Sequence, residues 1–275
     1  MTDRYAVIGN PIAHSKSPLI HAAFARQTGQ DIVYDRILGS LTDFAADVRR
    51  FFAEGGRGLN VTVPFKEQAY SLVDERSEAA AVAGALNTLI RLPDGQLRGD
   101  NTDGIGLVRD LCQNHGFTFR DQRILLVGAG GAARGVLKPL LETGLAHLTV
   151  VNRTPSKSLE LARLGAAYGP IEGMGFDGLA GRRFDLIINA TSAGLAGELP
   201  PLPEDCLAPG GWVYDMVYGD QVTPFCRWGR LQGAERSLDG LGMLVEQAAE
   251  SFWLWRGVRP DTAPVIAELR TQCKP

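Results

Sequence analysis

The sequence predicts an α/β protein of two parts, one of them a doubly wound parallel sheet. Three observations predict it. Short apolar runs alternate with segments of helical periodicity along most of the 275 residues, the pattern of strands joined by crossover helices. The apolar run Arg123 to Val127 leads straight into Gly128-Ala129-Gly130-Gly131-Ala132-Ala133, a strand followed by a glycine-rich turn that opens a helix. Domains commonly hold roughly 100–200 residues, so the length has room for two.

The elements follow in order. Ala6 to Gly9 reads as a short buried strand. Leu19 to Gln27 has apolar residues at helical spacing, with Gly29 suited to a C-terminal cap. Ile32 to Leu38 is a second strand, and Phe44 to Ala53 a helix with an apolar stripe at Phe44, Val48, Phe51 and Phe52. Leu59 to Val63 is a third strand, stopped by Pro64. Asn87 to Leu92 and Gln96 to Gly99 flank Pro93-Asp94-Gly95, turn chemistry for a hairpin. Ile105 to Cys112 is a helix. Leu148 to Val151, Asp185 to Ile188 and Gly211 to Asp215 join Arg123 to Val127 as strands, and a long helix runs from about Gly242 to Arg256. No linker composition marks a boundary, so the motifs place it near Thr102.

Hydrophobic residues at 45% and charged residues at 21% are those of an ordinary globular chain. A net charge of −3 and the lack of a Lys/Arg run argue against nucleic-acid and anionic-membrane partners. No stretch approaches the roughly 18 apolar residues of a membrane span, and the apolar run near the N-terminus is too short for a signal peptide. Cys112, Cys206, Cys226 and Cys273 form no C-x-x-C motif, so they read as reduced thiols in a cytoplasm. The 4 histidines form no metal-ligand spacing, and no metal is expected.

The glycine-rich turn is the first candidate site. Gly128 permits the tight turn, Gly130 lets backbone approach a pyrophosphate, and Ala133 keeps helix and strand close. Ala129, Gly131 and Ala132 complete a helix N-terminus whose N–H groups suit phosphates. A glycine turn with no ligand is the competing reading. The next strand carries more information. An NAD site places an acid at its end, on the ribose hydroxyl. Here the strand ends Asn152-Arg153-Thr154, with Ser156 and Lys157 beyond. A guanidinium pairs with a 2′-phosphate that an acid would repel, so NADP is expected over NAD, a solvated arginine being the alternative. A polar loop from Asn189 through Thr191 and Ser192 to Gly194 follows a later strand. It is either turn chemistry or part of the same crevice.

Four further motifs lie in the first part. In Gly9-Asn10-Pro11-Ile12-Ala13-His14-Ser15-Lys16-Ser17-Pro18 two hydroxyls precede a helix, where they and the helix N–H groups suit a carboxylate. Ser17 reads equally well as an N-cap before proline. In Asn60-Val61-Thr62-Val63-Pro64-Phe65-Lys66 the two polar side chains share one strand face; an edge strand's solvent face would look similar. Asn87-Thr88 and Asn101-Thr102-Asp103-Gly104 complete the set, and Asp103 stands where an N-cap would.

Taken together, G-N-P-I-A-H-S-K-S-P, N-V-T-V-P-F-K, A-L-N-T, N-T-D-G, G-A-G-G-A, N-R-T and N-A-T-S resemble the shikimate dehydrogenase family. Asp215-Met216-Val217-Tyr218 and Asp239-Gly240-Leu241-Gly242-Met243 extend the resemblance through nearly the whole chain. It implies a Rossmann-like NADP domain at 103–236 and a discontinuous substrate domain at 1–102 and 237–275, the last long helix returning to the first domain. It implies reduction of 3-dehydroshikimate to shikimate in aromatic amino-acid synthesis. Ser15 and Ser17 would hold the substrate carboxylate. Asn60, Thr62, Asn87, Asp103, Tyr218 and Gln247 would surround the ring, with Lys66 and Asp103 as the catalytic pair. Met216, Gly240 and Met243 would join the cofactor site; Met243 and Gln247, four apart, share a helix face.

On that reading Lys66 stabilises and protonates the carbonyl oxygen as hydride arrives, and Asp103 orients its ammonium. Oxidation then needs an unprotonated base and should favour alkaline pH. Two alternatives differ in class. One is a catabolic quinate/shikimate dehydrogenase, which would turn over quinate and use NAD. The other is a non-catalytic NADPH sensor, which would need the Gly128 turn but not Lys66, Asp103 and the paired serines. The partner expected is a small-molecule substrate, and the chain a monomer or homodimer.

Overall fold

The structure, a computed structural model, describes residues 2–191 and 198–272. The chain forms two compact units, Met1–Gly106 with Val245–Ala267, and Leu107–Leu244 with Glu268–Pro275.

The first unit is built on β1 (Asp3–Gly9), α1 (Ser17–Thr28), β2 (Ile32–Leu38), α2 (Phe44–Ala53), β3 (Gly56–Val61), α3 (Lys66–Tyr70), β4 (Glu75–Arg76), α4 (Glu78–Ala83), β5 (Thr88–Arg91) and β6 (Leu97–Asp100). Its sheet has the order β2-β1-β3-β5-β6-β4. β1 runs parallel to β2 and β3, whereas β5 is antiparallel to both β3 and β6. The sheet is therefore mixed, because the Pro93-Asp94-Gly95 turn makes a hairpin where a crossover helix would have kept the strands parallel. β3 lies inside the sheet, and Leu59, Asn60 and Val61 are all buried. As an interior strand, β3 has no solvent face, so the competing edge-strand reading of Asn60 does not hold. The strand also ends at Val61, so Thr62 and the exposed Val63 lie beyond it.

Local chemistry sets the helix ends. Asp43 caps α2 by accepting from the Ala46 amide at 3.1 Å. The predicted stripe Phe44, Val48, Phe51 and Phe52 is buried, each side chain contributing roughly 1.5–3 kcal/mol on transfer from water. α1 begins one residue earlier than a Ser17 cap would require. Lys16 holds the cap position, its side chain making no capping bond to the helix amides, and Ser17 is itself helical.

α5 (Asp103–Arg109) carries the chain out of the first unit and runs into a π-helical turn, Asp110–Asn114. The second unit contains β7 (Arg123–Val127), α6 (Gly131–Leu141), β8 (His147–Val151), α7 (Pro155–Gly165), β9 (Ile171–Met174), β10 (Phe184–Asn189), β11 (Leu207–Asp215), α8 (Pro224–Leu231) and β12 (Arg236–Asp239). Every pairing is parallel, in the order β12-β11-β10-β7-β8-β9. This is the doubly wound arrangement, with its switch point between β7 and β10. α9 (Leu241–Arg256) starts in the second unit and from Val245 belongs to the first; α10 (Ala263–Gln272) follows. No helix among the described residues is long and apolar enough to cross a membrane.

Candidate active site

In the first unit, five of the predicted polar residues, Asn60, Lys66, Asn87, Asp103 and Gln247, belong to one hydrogen-bonded group. Lys66 opens α3 just after Pro64, and its Nζ donates to Asp103 Oδ2 at 2.5 Å. Asp103 opens α5, and its other oxygen accepts from Asn87 Nδ2 at 2.8 Å. The Asp103 carboxylate therefore holds Lys66 and Asn87 instead of capping its helix. Among the described residues Asp103 is the one partner of the Lys66 ammonium. The Asp103 side chain is 12% exposed against 30% for Lys66, so the pair has a sheltered acid and an ammonium open to a ligand.

Asn87 precedes β5 and ties the group together. Its Nδ2 also reaches Thr102 Oγ1 at 3.0 Å and Gln247 Oε1 at 3.2 Å, and its Oδ1 accepts from the Thr102 amide and the Thr88 hydroxyl. Gln247 comes from α9, far downstream. Asn60 is 7% exposed. Its Nδ2 lies within bonding distance of the Asn87 carbonyl, Thr88 Oγ1 and Ser251 Oγ, and its Oδ1 accepts from the Tyr34 hydroxyl at 2.7 Å. The amide is thus saturated from within the unit. Thr62 lies just past β3, tied through its amide to the Ile8 carbonyl. Ser15 and Ser17 lie after β1, half-buried, with the Ser17 amide on Ser15 Oγ at 3.3 Å. Tyr218 belongs to the second unit.

Tyr34, Thr88, Thr102 and Ser251 are members that the sequence reading does not single out. Burial pushes the Tyr34 phenol well above its ordinary pKa, so it remains a donor. Beneath it the fully buried His21 ring stacks on Tyr34 at 4.2 Å and 7°.

In the second unit, β7 ends in Gly128 with φ +107°, a conformation that favours glycine. A Cβ at Gly128 would stand 3.1 Å from Thr191 Cγ2 and 3.3 Å from the Ala190 backbone, so the turn after β7 lies against the chain leaving β10. Gly130 caps α6 without a side-chain bond, and nothing lies within 4 Å of the Cβ position there. The first N–H groups of this eleven-residue helix have no side-chain cap at Gly130, with Ala129 buried and Gly131 and Ala132 exposed at its start.

After β8, Arg153, Thr154, Ser156 and Lys157 are exposed, and Asn152 turns its amide onto the Thr154 carbonyl. Neither Arg153 nor Lys157 pairs with a carboxylate among the described residues. Two such cations beside an uncapped helix start fit a dinucleotide that carries an extra phosphate. Arg153→Ala is expected to raise KM for NADP roughly tenfold to a hundredfold, the worth of a charged hydrogen bond, and to leave KM for NAD nearly unchanged. Equal losses with both coenzymes would remove the guanidinium from phosphate recognition.

The remaining predicted cofactor residues gather at β10 and β11. Thr191 donates from its amide and hydroxyl to Asn189 Oδ1, and Asn189 Nδ2 donates to Asp215 Oδ1 at 3.0 Å. Burial raises the Asp215 pKa against the Val217 and Asn189 donors that favour its charged form. Met216 and Gly240 meet so closely that a Cβ on Gly240 would strike the Met216 carbonyl oxygen. Met243 is buried in the first turn of α9. Ser192 and Gly194 of the polar loop, like Cys273, lie outside the described residues. Among the described residues no group of three or more His, Cys, Asp or Glu is placed to hold a metal ion.

A doubly wound parallel sheet with a glycine turn at its switch point in the second unit, and a partly exposed lysine held on a buried carboxylate in the first, are the parts of a dinucleotide-dependent dehydrogenase. Comparison with known proteins agrees. Residues 7–89 match the family of the shikimate dehydrogenase substrate binding domain, 110–196 that of shikimate / quinate 5-dehydrogenase, and 240–270 the shikimate 5′-dehydrogenase C-terminal domain. The shikimate dehydrogenase (NADP(+)) of Alkalilimnicola ehrlichii is 61% identical over 272 residues, 99% of this chain and 100% of that protein. The crystal structure of an Ael1 enzyme from Pseudomonas putida is 49% identical with a TM-score of 0.91, covering 98% of each chain. The shikimate 5-dehydrogenase of Thermus thermophilus, solved in complex with NADP(H) and shikimate, is 33% identical with a TM-score of 0.86, covering 99% of this chain and 100% of that one. The chain belongs to the shikimate dehydrogenase family.

Proposed function

We propose that the protein catalyses the reversible NADPH-dependent reduction of 3-dehydroshikimate to shikimate, with Lys66 and Asp103 as its catalytic pair. The observation that carries the assignment of roles is the Lys66–Asp103–Asn87 contact, in which a partly exposed ammonium is fixed by an acid that is itself fixed. NADPH supplies a hydride when bound at the Gly128 turn. Lys66 meets the negative charge that develops on the substrate oxygen and donates the proton that neutralises it. Asp103 fixes the ammonium's direction, and Asn87 fixes Asp103. Ser15 and Ser17 take the carboxylate; Thr62, Tyr218 and Gln247 surround the ring. Asn60, with its amide already saturated, shapes the site chiefly by holding its neighbours. Gly128, Ala129, Gly130, Gly131 and Ala132 carry the pyrophosphate, Asn152 through Lys157 the adenosine phosphate, and Thr191, Met216, Gly240 and Met243 the nicotinamide end. The same reading places the protein in the cytoplasm with its thiols reduced, as a monomer or homodimer.

The test is the initial rate of NADP reduction at alkaline pH, with shikimate and quinate in parallel and NAD as second coenzyme. Turnover of shikimate with NADP is expected. Preferred turnover of quinate with NAD would replace this reading by the catabolic one, and tight NADPH binding without turnover would reduce the protein to a sensor.

A further inference from the structure

β2 places two side chains against the substrate unit's polar residues. Tyr34 and Arg36 are two apart and share a strand face. Tyr34 reaches Asn60. Arg36 reaches across 21 residues to the turn after β1, where its Nε and Nη2 both donate to the Ser15 carbonyl, at 3.1 and 2.6 Å. Its own surface is exposed, and among the described residues it meets no carboxylate. An exposed arginine ordinarily loses little by swinging into water. This one is held by a forked pair of hydrogen bonds to a backbone oxygen, which fixes the guanidinium on the turn that carries the Ser15 and Ser17 side chains. Asp35, the acid next to it in sequence, projects from the opposite strand face. In a chain of net charge −3, the result is a positive charge with no carboxylate paired to it among the described residues, held on the turn whose hydroxyls would receive an anion.

We propose that Arg36 is a further positioning and specificity residue. Through the Ser15 carbonyl it fixes the serine turn, and its unpaired charge selects a substrate that carries a carboxylate there. The inference rests on the reading that Ser15 and Ser17 hold that carboxylate. The guanidinium is exposed to solvent, which screens its charge, so its contribution is modest: roughly three- to tenfold in KM. Because it binds ground and transition states alike, kcat stays within about twofold.

The test compares shikimate with its uncharged methyl ester, using KM or, for an ester that is not turned over, its inhibition constant. Arg36→Ala is expected to weaken shikimate roughly three- to tenfold and the ester by a clearly smaller factor, since the ester loses only the fixed turn. Arg36→Lys keeps the charge, loses the fork and recovers part of the difference. Added salt should raise the wild-type KM for shikimate towards that of Arg36→Ala. Equal weakening of acid and ester would make Arg36 a structural brace only, and no weakening of either would overturn the inference outright. A wild-type enzyme that binds acid and ester equally would overturn the carboxylate role of the serines, and with it this proposal. Absence of shikimate turnover in the wild type would instead overturn the proposed function.

Discussion

Lys66→Ala is expected to lower kcat by roughly 10²–10⁴ while KM for shikimate changes no more than a few-fold. The asymmetry follows from geometry. The ammonium is 30% exposed and bonded to a single acid, so its removal opens no core cavity and leaves the Ser15 and Ser17 loop untouched. What disappears is a cation and a proton aimed at an oxygen whose charge is largest in the transition state, a loss that appears in kcat. Asp103 keeps its bond from Asn87, so the acid is not stranded without a donor. Steady-state kinetics in both directions decide the matter. A kcat within a few-fold of wild type would remove Lys66 from the chemistry, and a loss confined to KM would make it a substrate clamp.

The second large effect concerns acid stability and His21. The ring is fully buried among Tyr34, Phe24, Phe252 and Trp255, and neither nitrogen makes a hydrogen bond. Burial lowers its pKa from 6.5 to about 3, against a weaker opposing pull from the Asn60 side chain. Between those two values the unfolded chain binds a proton that the folded chain refuses. Folding stability therefore rises with pH across this window and is lost as pH falls from 6.5 towards 3. At about 1.4 kcal/mol per pKa unit, the full loss is on the order of 4–5 kcal/mol. His21→Phe removes the titrating group and keeps an aromatic ring against Tyr34. Denaturant unfolding of both proteins between about pH 7 and 4 is expected to show a shallower acid loss in the variant, whatever its stability at neutral pH. Parallel curves would mean that His21 takes up a proton in the folded state.

How much of this is legible in advance depends on the reach of each interaction. The Arg123–Val127 strand, the glycine turn after it and the Pro93-Asp94-Gly95 hairpin are written in neighbouring residues, and the structure contains them. So is the α2 stripe, whose 3.6-residue period survives because one face is apolar and the other is not. The short β9 and β12 strands and the interior face of β3 carry no such alternation. The same limit governs the site. Lys66, Asn87 and Asp103 stand in recognisable motifs, although nothing local says that they touch. Tyr34 and Ser251 meet Asn60 across 26 and 191 positions. A buried tyrosine on a strand and a serine on an apolar helix read as core, and only the fold reveals that their hydroxyls face one amide. His21 escapes notice for the same reason, since a lone histidine in a helix gives no sign that its nitrogens lack partners.

The return of α9 to the first unit has a consequence for synthesis. On the ribosome, residues 1–106 emerge before the second unit's sheet, yet Gln247, Ser251, Phe252 and Trp255, which cover His21 and complete the bonds of Asn60 and Asn87, appear only after it. All six strands of the second unit's sheet are available by residue 239. The usual vectorial order, N-terminal domain before C-terminal domain, is therefore inverted for completion: the nascent first unit waits, with its aromatic cluster uncovered, while the second unit's sheet can already close. A chain truncated and released before residue 245 should show a second sheet that resists protease and a first unit that does not.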